Sequence, residues 1–157
     1  MELTNHVAIV TGGASGLGRA STELFAKAGA SVAIFDMNEE AGEALASELG
    51  DKAIFCAVNI ADEDSVIAAI EKVMDAFGAI HICVNCAGRG GGATKTLSKK
   101  GPFPMDLFRD VININLVGTF NVITLVAEKM ALNEPNAKGE RGVIINTSSI
   151  AAYEGHR

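Results

Sequence analysis

Apolar and polar positions follow two different periods along the chain. Short apolar runs predict buried strands, and longer segments with apolar residues every three or four positions predict amphipathic helices. The predicted strands are 7–11, 31–35, 53–58, 80–84 and 143–147, and the predicted helices are 16–28, 39–49, 63–77 and 105–132. Strands that alternate with helices predict an α/β fold, a doubly wound parallel sheet of about five strands with helices on both faces. Nothing resembles a linker, so we expect one domain over residues 1–157.

Residues with capping preferences stand at the predicted helix boundaries. Asn38 and Asp62 precede the second and third helices, where a short polar side chain can accept from free backbone N–H groups. Gly29, Gly50 and Gly78 follow the ends of the first three helices, as C-terminal caps do.

The segment 89–104 and the helix after it depart from the regular alternation of short strands and amphipathic helices. The segment is rich in glycine and lysine and has no acid, which is typical of an exposed loop. The helix 105–132 is apolar on nearly all sides. We expect one face to pack on the sheet and the other on a partner subunit, the alternative being a helix buried within one subunit.

A glycine-rich turn joins the first strand to the first helix. Residues 7–18 are VAIVTGGASGLG, in which Gly12 allows a tight turn, Gly16 admits a ligand to the backbone, and Gly18 lets helix and strand lie close. Free N–H groups at the helix start favour a pyrophosphate. The turn therefore favours a dinucleotide site over an ordinary strand-to-helix connection.

Asp36 ends the second predicted strand, where the adenosine ribose of such a cofactor would lie. A carboxylate there accepts from both ribose hydroxyls and repels a 2′-phosphate. Neither Met37 nor Asn38 supplies a positive charge, so NAD is favoured over NADP. The alternative is an acid that only faces solvent.

Composition limits the classes of function. The 157 residues are 48% hydrophobic and 20% charged with a net charge of -6, which predicts a globular protein and argues against nucleic acid as a partner. On this composition no apolar run is expected to be long enough to cross a bilayer, so no membrane is expected. Met1 lies too close to the first strand for a secretory signal, so we expect a cytoplasmic protein, or one of the mitochondrial matrix in a eukaryote.

The three cysteines are expected to be free thiols. Cys83-x-x-Cys86 has the spacing of a redox or zinc pair, but one further cysteine and no histidine cluster make a metal site unexpected. Buried, unreactive thiols are the better interpretation.

Four motifs together resemble the short-chain dehydrogenase/reductase family. They are Thr11-Gly12-x-x-x-Gly16-x-Gly18, Asn85-Cys86-Ala87-Gly88, Asn113-Ile114-Asn115-Leu116-Val117-Gly118-Thr119-Phe120, and Val143-Ile144-Ile145-Asn146-Thr147-Ser148-Ser149. The resemblance implies a Rossmann-like fold and an oxidoreductase that transfers a hydride between NAD and a secondary alcohol or ketone. It also implies a homo-oligomer, and more specifically a homotetramer, which is common in the family.

The resemblance assigns roles to particular residues. The implied cofactor-binding residues are Gly12, Ser15, Gly16, Leu17, Gly18, Asp36, Asn59, Ile60, Asn85, Cys86, Ala87 and Gly88. Ser15 stands where family members that prefer a phosphate often carry a base, and Asn59 replaces the usual acid beside the adenine. Ser149 is the implied catalytic serine that holds the substrate oxygen, with Ser148 as the alternative. Asn115 is implied to bend its helix and hold a water of a proton relay, although a mid-helix Asn can also simply interrupt the hydrogen-bond ladder.

Longer runs are similar to the family members that act on hydroxyacyl-CoA. They are the inserted loop, 118–123, Asn133-Glu134-Pro135 and 141–147. They imply oxidation of a 3-hydroxyacyl-CoA to a 3-ketoacyl-CoA, so the expected partner is an acyl-CoA or another secondary alcohol or ketone. Basic residues in the loop suit the phosphates of CoA, or form an ordinary solvated loop: Arg89, Lys95, Lys99 and Lys100.

The family's general acid, a Tyr in Tyr-x-x-x-Lys, has no counterpart in the 157 residues. Tyr153 is followed four positions later by Arg157 and lies too close to Ser149 in sequence to serve. Two hypotheses follow. The chain belongs to an NAD-dependent dehydrogenase whose Tyr and Lys lie outside these residues, or it is a non-catalytic dinucleotide-binding fragment.

Overall fold

A five-stranded parallel sheet with helices on both faces forms the molecule, which confirms the predicted fold class. The computed structural model describes residues 3–91, 95–99 and 101–154. Its strands are β1 (Val7–Thr11), β2 (Ser31–Asp36), β3 (Ala53–Ala57), β4 (Ile82–Asn85), β5 (Leu97–Ser98), β6 (Gly101–Pro102) and β7 (Val143–Asn146). Its helices are α1 (Gly16–Lys27), α2 (Glu39–Leu49), α3 (Glu63–Phe77), α4 (Met105–Ile112) and α5 (Thr119–Met130), with short 3-10 turns at Gly50–Lys52 and Ile150–Ala152. A π-helical segment, Asn113–Gly118, joins α4 to α5, and we call Met105–Met130 the long helix.

The strand order in the sheet reverses next to β1. The order is β3-β2-β1-β4-β7, so β1 pairs with β2 on one side and with β4 on the other. Thr11 lies opposite both Phe35 and Asn85, and Asn85 lies opposite Asn146. The carboxyl ends of β1, β4 and β7 are therefore level, and a crevice opens where the order reverses, the usual ligand position in such sheets.

The core lies on both faces of the sheet. β1 is buried along its whole length. On one face α3 and α5 cover it with apolar side chains, which include Val66, Ile70, Val122 and Val126. Burial of one such side chain contributes about 1.5–3 kcal/mol, so this packing holds α3 and the α5 part of the long helix on the sheet.

The predicted caps are present. The Asn38 side chain accepts from the N–H of Ala41, and the Asp62 side chain accepts from the N–H of Ser65. Gly29, Gly50 and Gly78 all have positive φ angles at helix ends. The helix boundaries predicted from sequence hold to within two residues for α1, α2, α3 and the end of α5.

Two predicted segments differ from the structure. β4 begins at Ile82, and just before it the carbonyl of Ile80 accepts from the Asn133 side chain (2.7 Å). The segment predicted as a plain exposed loop contains the β5–β6 hairpin. Its turn uses Gly101 at φ +116, a conformation that L side chains rarely adopt.

The long helix corrects the expectation that no segment could span a bilayer. Its 26 residues and mean hydropathy of 1.5 are sufficient by length and composition. In the molecule, however, Val122, Val126 and Met130 lie in the core on the sheet. The helix therefore packs on the sheet through these residues, whereas only 17% of its apolar window is buried.

A histidine pair near the amino ends of β1 and β4 links stability to pH. The N–H of Val7 donates to Nδ1 of His81 (3.1 Å), and the His6 and His81 rings meet edge to face at 4.7 Å. Burial, and then the charge of His6, lower the pKa of His81. The folded protein therefore binds fewer protons here than the unfolded chain, whose histidine pKa is about 6.5.

We expect the stabilisation from His81 to be complete above about pH 6.5 and to decrease as the pH falls below it. Urea unfolding of the wild type and of His81→Asn between about pH 7.5 and pH 5.5 measures this, since an Asn side chain can also accept from Val7. The variant is expected to show the weaker pH dependence. Equal pH dependence in the two proteins would contradict the assignment.

Candidate functional site

A cleft of ≈ 600 Å³, the first cleft, lies in the crevice at the carboxyl ends of the strands. The glycine-rich turn, the ends of β2 and β4 and the segment after β3 form its walls. All but one of the predicted cofactor-binding residues line it: Gly12, Ser15, Gly16, Leu17, Gly18, Asp36, Asn59, Ile60, Cys86, Ala87 and Gly88. The exception is Asn85, which lies in the neighbouring cleft described below.

Backbone contacts explain two of the glycines. A Cβ on Gly18 would lie 2.0 Å from the carbonyl oxygen of Gly12. The first turn of α1 can therefore lie this close to the glycine-rich turn only if residue 18 has no side chain. A Cβ on Gly12 would lie 2.9 Å from the backbone of Ala87, and Gly12 has φ +64. The turn and the loop after β4 thus touch through their backbones, which leaves a narrow cradle beside the N-terminus of α1.

The Asp36 carboxylate is fixed at the edge of this cradle. Its Oδ2 accepts from the N–H of Ala14 (3.0 Å) and its Oδ1 from the N–H of Asn38 (3.0 Å). Each carboxylate oxygen can accept more than one hydrogen bond, so both still have capacity for a ligand hydroxyl. The side chain thus joins the glycine-rich turn to the end of β2.

Asn59 also makes local contacts at the first cleft. Its Oδ1 accepts from the N–H of Ala61 (3.1 Å), and its own N–H donates to Oγ of Ser65 (3.1 Å). The next residue, Ile60, is buried. The loop after β3 is therefore held in one conformation before any ligand arrives.

A second cleft of ≈ 420 Å³ adjoins the first. Both clefts are lined by the segment from Cys86 to Arg89, so a ligand that extends from one can enter the other. The remaining lining of the second cleft is polar: Asn85, Asn115, Thr119, Thr147, Ser148 and Ser149. The two predicted catalytic residues, Ser149 and Asn115, therefore lie together.

Asn115 clamps the segment that the two clefts share. Its Oδ1 accepts from the N–H of Arg89 (2.7 Å), and its Nδ2 donates to the carbonyl of Arg89 (2.9 Å). It lies in the π-helical segment, a feature that often marks functional sites. The water-binding role of Asn115 stays a prediction, whereas its structural role is to fix the loop after β4 to the long helix.

The serines begin the segment after β7. Oγ of Ser149 accepts from the N–H of Ala151 (3.2 Å) and so caps a short 3-10 turn. Because Ser148 lines the same cleft, both serines stay candidates. Tyr153 is 89% exposed and lines neither cleft, and Arg157 lies outside the described residues.

Sequence reasoning missed several lining residues. Met37 and Val58 are chain neighbours of predicted residues, and their positions could have been inferred from that. Ile114 and Thr119 come from the long helix, which the sequence predicts to pack on the sheet without indicating which of its residues reach the clefts. Arg89 was assigned to a basic loop, but it lines both clefts and pairs with Asp110 (3.1 Å).

The lysines of the predicted basic loop are less well placed than Arg89 to contact a ligand in the clefts. Lys95 and Lys99 are exposed, and Lys100 lies outside the described residues. A contact with phosphates of CoA therefore stays a prediction for these lysines.

The cysteines behave as protonated thiols. Burial, and then Cys86, raise the pKa of Cys83 to about 12. Burial also raises the pKa of Cys56, and that of Cys86 is raised by burial against an opposing hydrogen bond from Ser21. Thiolates are the nucleophiles and metal ligands, so neither role is favoured. Within the described ranges no three His, Cys, Asp or Glu side chains are grouped as metal ligands.

Comparisons with known proteins identify the family. The family model described as short chain dehydrogenase matches residues 6–157. A 3-hydroxyacyl-CoA dehydrogenase type-2 of Drosophila melanogaster is 49% identical over 98% of this chain and 60% of that protein. The Homo sapiens protein of that name is 44% identical over 95% of this chain and 58% of its own length.

Solved structures show the same similarity. The 3-hydroxyacyl-CoA dehydrogenase type-2 of Mycobacterium avium superposes with a TM-score of 0.91 at 41% identity, over 99% of this chain and 61% of that chain. A short chain dehydrogenase from Bacillus anthracis gives 0.84 at 26% identity, over 99% and 60%. The chain thus spans about 60% of the length of the relatives it matches. By the family match over residues 6–157 and by its glycine-rich turn, the chain belongs to the short-chain dehydrogenase family.

Proposed function

We propose that the whole protein is an NAD-dependent dehydrogenase that oxidises a 3-hydroxyacyl-CoA to a 3-ketoacyl-CoA. The observation that carries the proposal is the junction of the two clefts, one with the glycine-rich turn and Asp36, the other with Ser149. The named relatives support the substrate class. The reverse reduction uses the same site, because the reaction is reversible.

The first cleft fits a nicotinamide dinucleotide. A Cβ at Gly12 or Gly18 would collide with the backbone of the turn or of the loop after β4, whereas the Cβ position of Gly16 faces open space, so a pyrophosphate could approach the backbone N–H groups at the start of α1. Asp36 would accept from the ribose hydroxyls and repel a 2′-phosphate. Arg89 is the one cation among the described residues that line this cleft, and it is paired with Asp110, so nothing near Asp36 favours NADP.

The chain's own residues would position the reacting groups in the second cleft. The bound cofactor supplies the hydride acceptor. The hydroxyl of Ser149 would hydrogen-bond the substrate oxygen at the carbon that loses hydride, and Asn115 keeps the segment between the clefts in place. The proton of the substrate hydroxyl would pass to a general base, which in the family is the Tyr of Tyr-x-x-x-Lys. This motif does not occur in residues 1–157.

Ser149→Ala in the whole protein is expected to lower kcat by about 10²-fold, since one hydrogen bond to the reacting oxygen is lost. Ser148→Ala tests the alternative serine and is expected to change kcat little. NADH formation from NAD with a 3-hydroxyacyl-CoA measures both. The wild type is expected to reduce NAD faster than NADP. No NADH from the wild type would contradict the proposed reaction, and a greater loss in Ser148→Ala would reverse the serine assignment.

A second candidate function is a dinucleotide-binding module without chemistry of its own. It concerns residues 1–157 taken alone, in which Tyr-x-x-x-Lys does not occur. For this candidate, the 157-residue chain is expected to bind NAD and to form no NADH. Turnover by that chain alone would exclude it.

We also infer that the long helix packs against a second copy of the chain. Large apolar side chains recur on its exposed side at intervals of three or four residues: Met105, Phe108, Ile112, Leu116 and Phe120. A continuous exposed apolar stripe marks an interaction site, and a helix face can be self-complementary across a two-fold axis.

Phe120→Asp is expected to shift the protein toward monomer, because a charge would be buried in the proposed helix contact. Phe120 is 63% exposed, so the folded subunit should tolerate the change. Leu24→Asp on α1, at a side chain 64% exposed, is the matched control. Light scattering after gel filtration measures the mass. An unchanged mass in Phe120→Asp, or equal shifts in both variants, would contradict this interface.

A further inference from the structure

A chain of hydrogen bonds crosses the carboxyl ends of three strands. The N–H of Ala87 donates to Oγ1 of Thr11 (3.1 Å), Thr11 Oγ1 donates to Oδ1 of Asn85 (3.4 Å), and Nδ2 of Asn85 donates to Oδ1 of Asn146 (2.8 Å). Thr11, Asn85 and Asn146 are also paired in register on β1, β4 and β7. We call the side chains of Thr11, Asn85, Asn146 and Thr147 the polar ladder.

The interior of the ladder is buried. Thr11 is 0% and Asn85 is 3% exposed, so a broken link leaves a buried polar group without its partner. Asn85 also holds the far strand through its backbone, since its carbonyl accepts from both the N–H (3.1 Å) and Oγ1 (2.8 Å) of Thr147. The end of β7 is thus tied to β4 at two consecutive residues.

The chain of hydrogen bonds runs from the segment that the two clefts share to the far side of the second cleft. Ala87 lines both clefts, whereas Thr147 lines the second and is followed directly by Ser148 and Ser149. Asn146 follows three apolar residues on β7, and its Oδ1 accepts from Asn85. The feature that requires a polar acceptor at position 146 is the buried Nδ2 of Asn85.

We propose that Asn146 is a positioning residue that couples cofactor binding in the first cleft to the placement of Ser148 and Ser149 in the second. A ligand that rests on Cys86 to Gly88 orders Ala87, and the ladder transmits that order through Thr11 and Asn85 to Asn146 and Thr147. A serine segment that is already ordered costs the substrate less conformational entropy on binding. The inference rests on the proposed function only for the identity of NAD as the ligand.

Amide hydrogen exchange of the 157-residue chain with and without NAD tests the coupling. In the wild type, NAD is expected to slow exchange in the glycine-rich turn and, by about fivefold, at Thr147 and Ala151. In Asn146→Ala the turn is expected to respond as before, and Thr147 and Ala151 are expected to lose their response. Asn146→Asp keeps an acceptor for Asn85 and should restore it, which a general loss of stability would not do.

Two further variants keep the test decisive. Thr147→Val retains the shape of the side chain but loses the hydroxyl donor to Asn85, so a reduced response is expected even if Asn146→Ala does not fold. Asn136→Ala, in the loop before β7, is the control and should retain the full response. An equal response in the wild type, Asn146→Ala and Thr147→Val would overturn the coupling alone. If NAD alters no amide of the wild type, the cofactor assignment fails and the coupling fails with it.

Discussion

Gly18→Ala is expected to destabilise the fold by about 3 kcal/mol or more and to abolish NAD binding. Helix propensity alone predicts the opposite, a gain of about 1 kcal/mol from alanine within a helix. Steric overlap decides the outcome, because the new Cβ would lie 2.0 Å from the Gly12 carbonyl oxygen and 2.7 Å from the Gly12 carbonyl carbon. Neither atom belongs to a flexible side chain, so α1 must move away from the turn.

Urea unfolding and NAD titration measure the two effects of Gly18→Ala. Gly78→Ala is the matched control, since Gly78 has φ +76 at the end of α3 but open space around its Cβ position. It is expected to lose about 1–2 kcal/mol from the left-handed backbone alone and to keep its affinity for NAD. If Gly18→Ala were as stable as the wild type and bound NAD equally well, the close approach of α1 to the turn would be wrong.

Asp36→Asn is expected to raise the Kd for NAD by about 10–100-fold and to remove the preference over NADP. The amide loses the charge that strengthens hydrogen bonds from ribose hydroxyls and that repels a 2′-phosphate. It also offers one acceptor oxygen where two backbone N–H groups, from Ala14 and Asn38, now donate. One of these groups would face the Nδ2 donors, so the cradle should loosen as well.

Calorimetric titrations with NAD and with NADP measure the affinity and the preference of Asp36→Asn. Asp51→Asn makes the same change of charge in the exposed turn after α2 and should alter neither. If the ratio of the two dissociation constants stayed the same in Asp36→Asn, the carboxylate would not be the group that distinguishes the cofactors.

The sheet and the first cleft could be predicted because their signals are local. Each strand is a short apolar run, and Asn38 and Asp62 mark helix starts by their own hydrogen bonds. The turn needs residues without side chains at positions 12 and 18, and the sequence has glycine at both. The carboxyl ends of parallel strands then bring Asp36 and Ala87 to the same crevice.

The second cleft was harder to predict because it depends on contacts between distant segments. The Asn115 side chain contacts the backbone of Arg89, 26 positions earlier, and neither residue type specifies that pairing. The resemblance implies a helix bend at Asn115, where the π-helical segment lies, but the lining of the clefts by Ile114 and Thr119 follows from how the long helix crosses the sheet. The β5–β6 hairpin was missed because its two-residue strands are too short to show alternation.

The most direct test of the central claim is a titration of NAD into the chain, followed by its amide resonances. We predict saturable shifts concentrated at Gly12 to Gly18, Asp36 and Cys86 to Gly88, with NADP binding more weakly at the same positions. Shifts elsewhere, no saturation, or tighter binding of NADP would contradict the assignment of the first cleft as an NAD site.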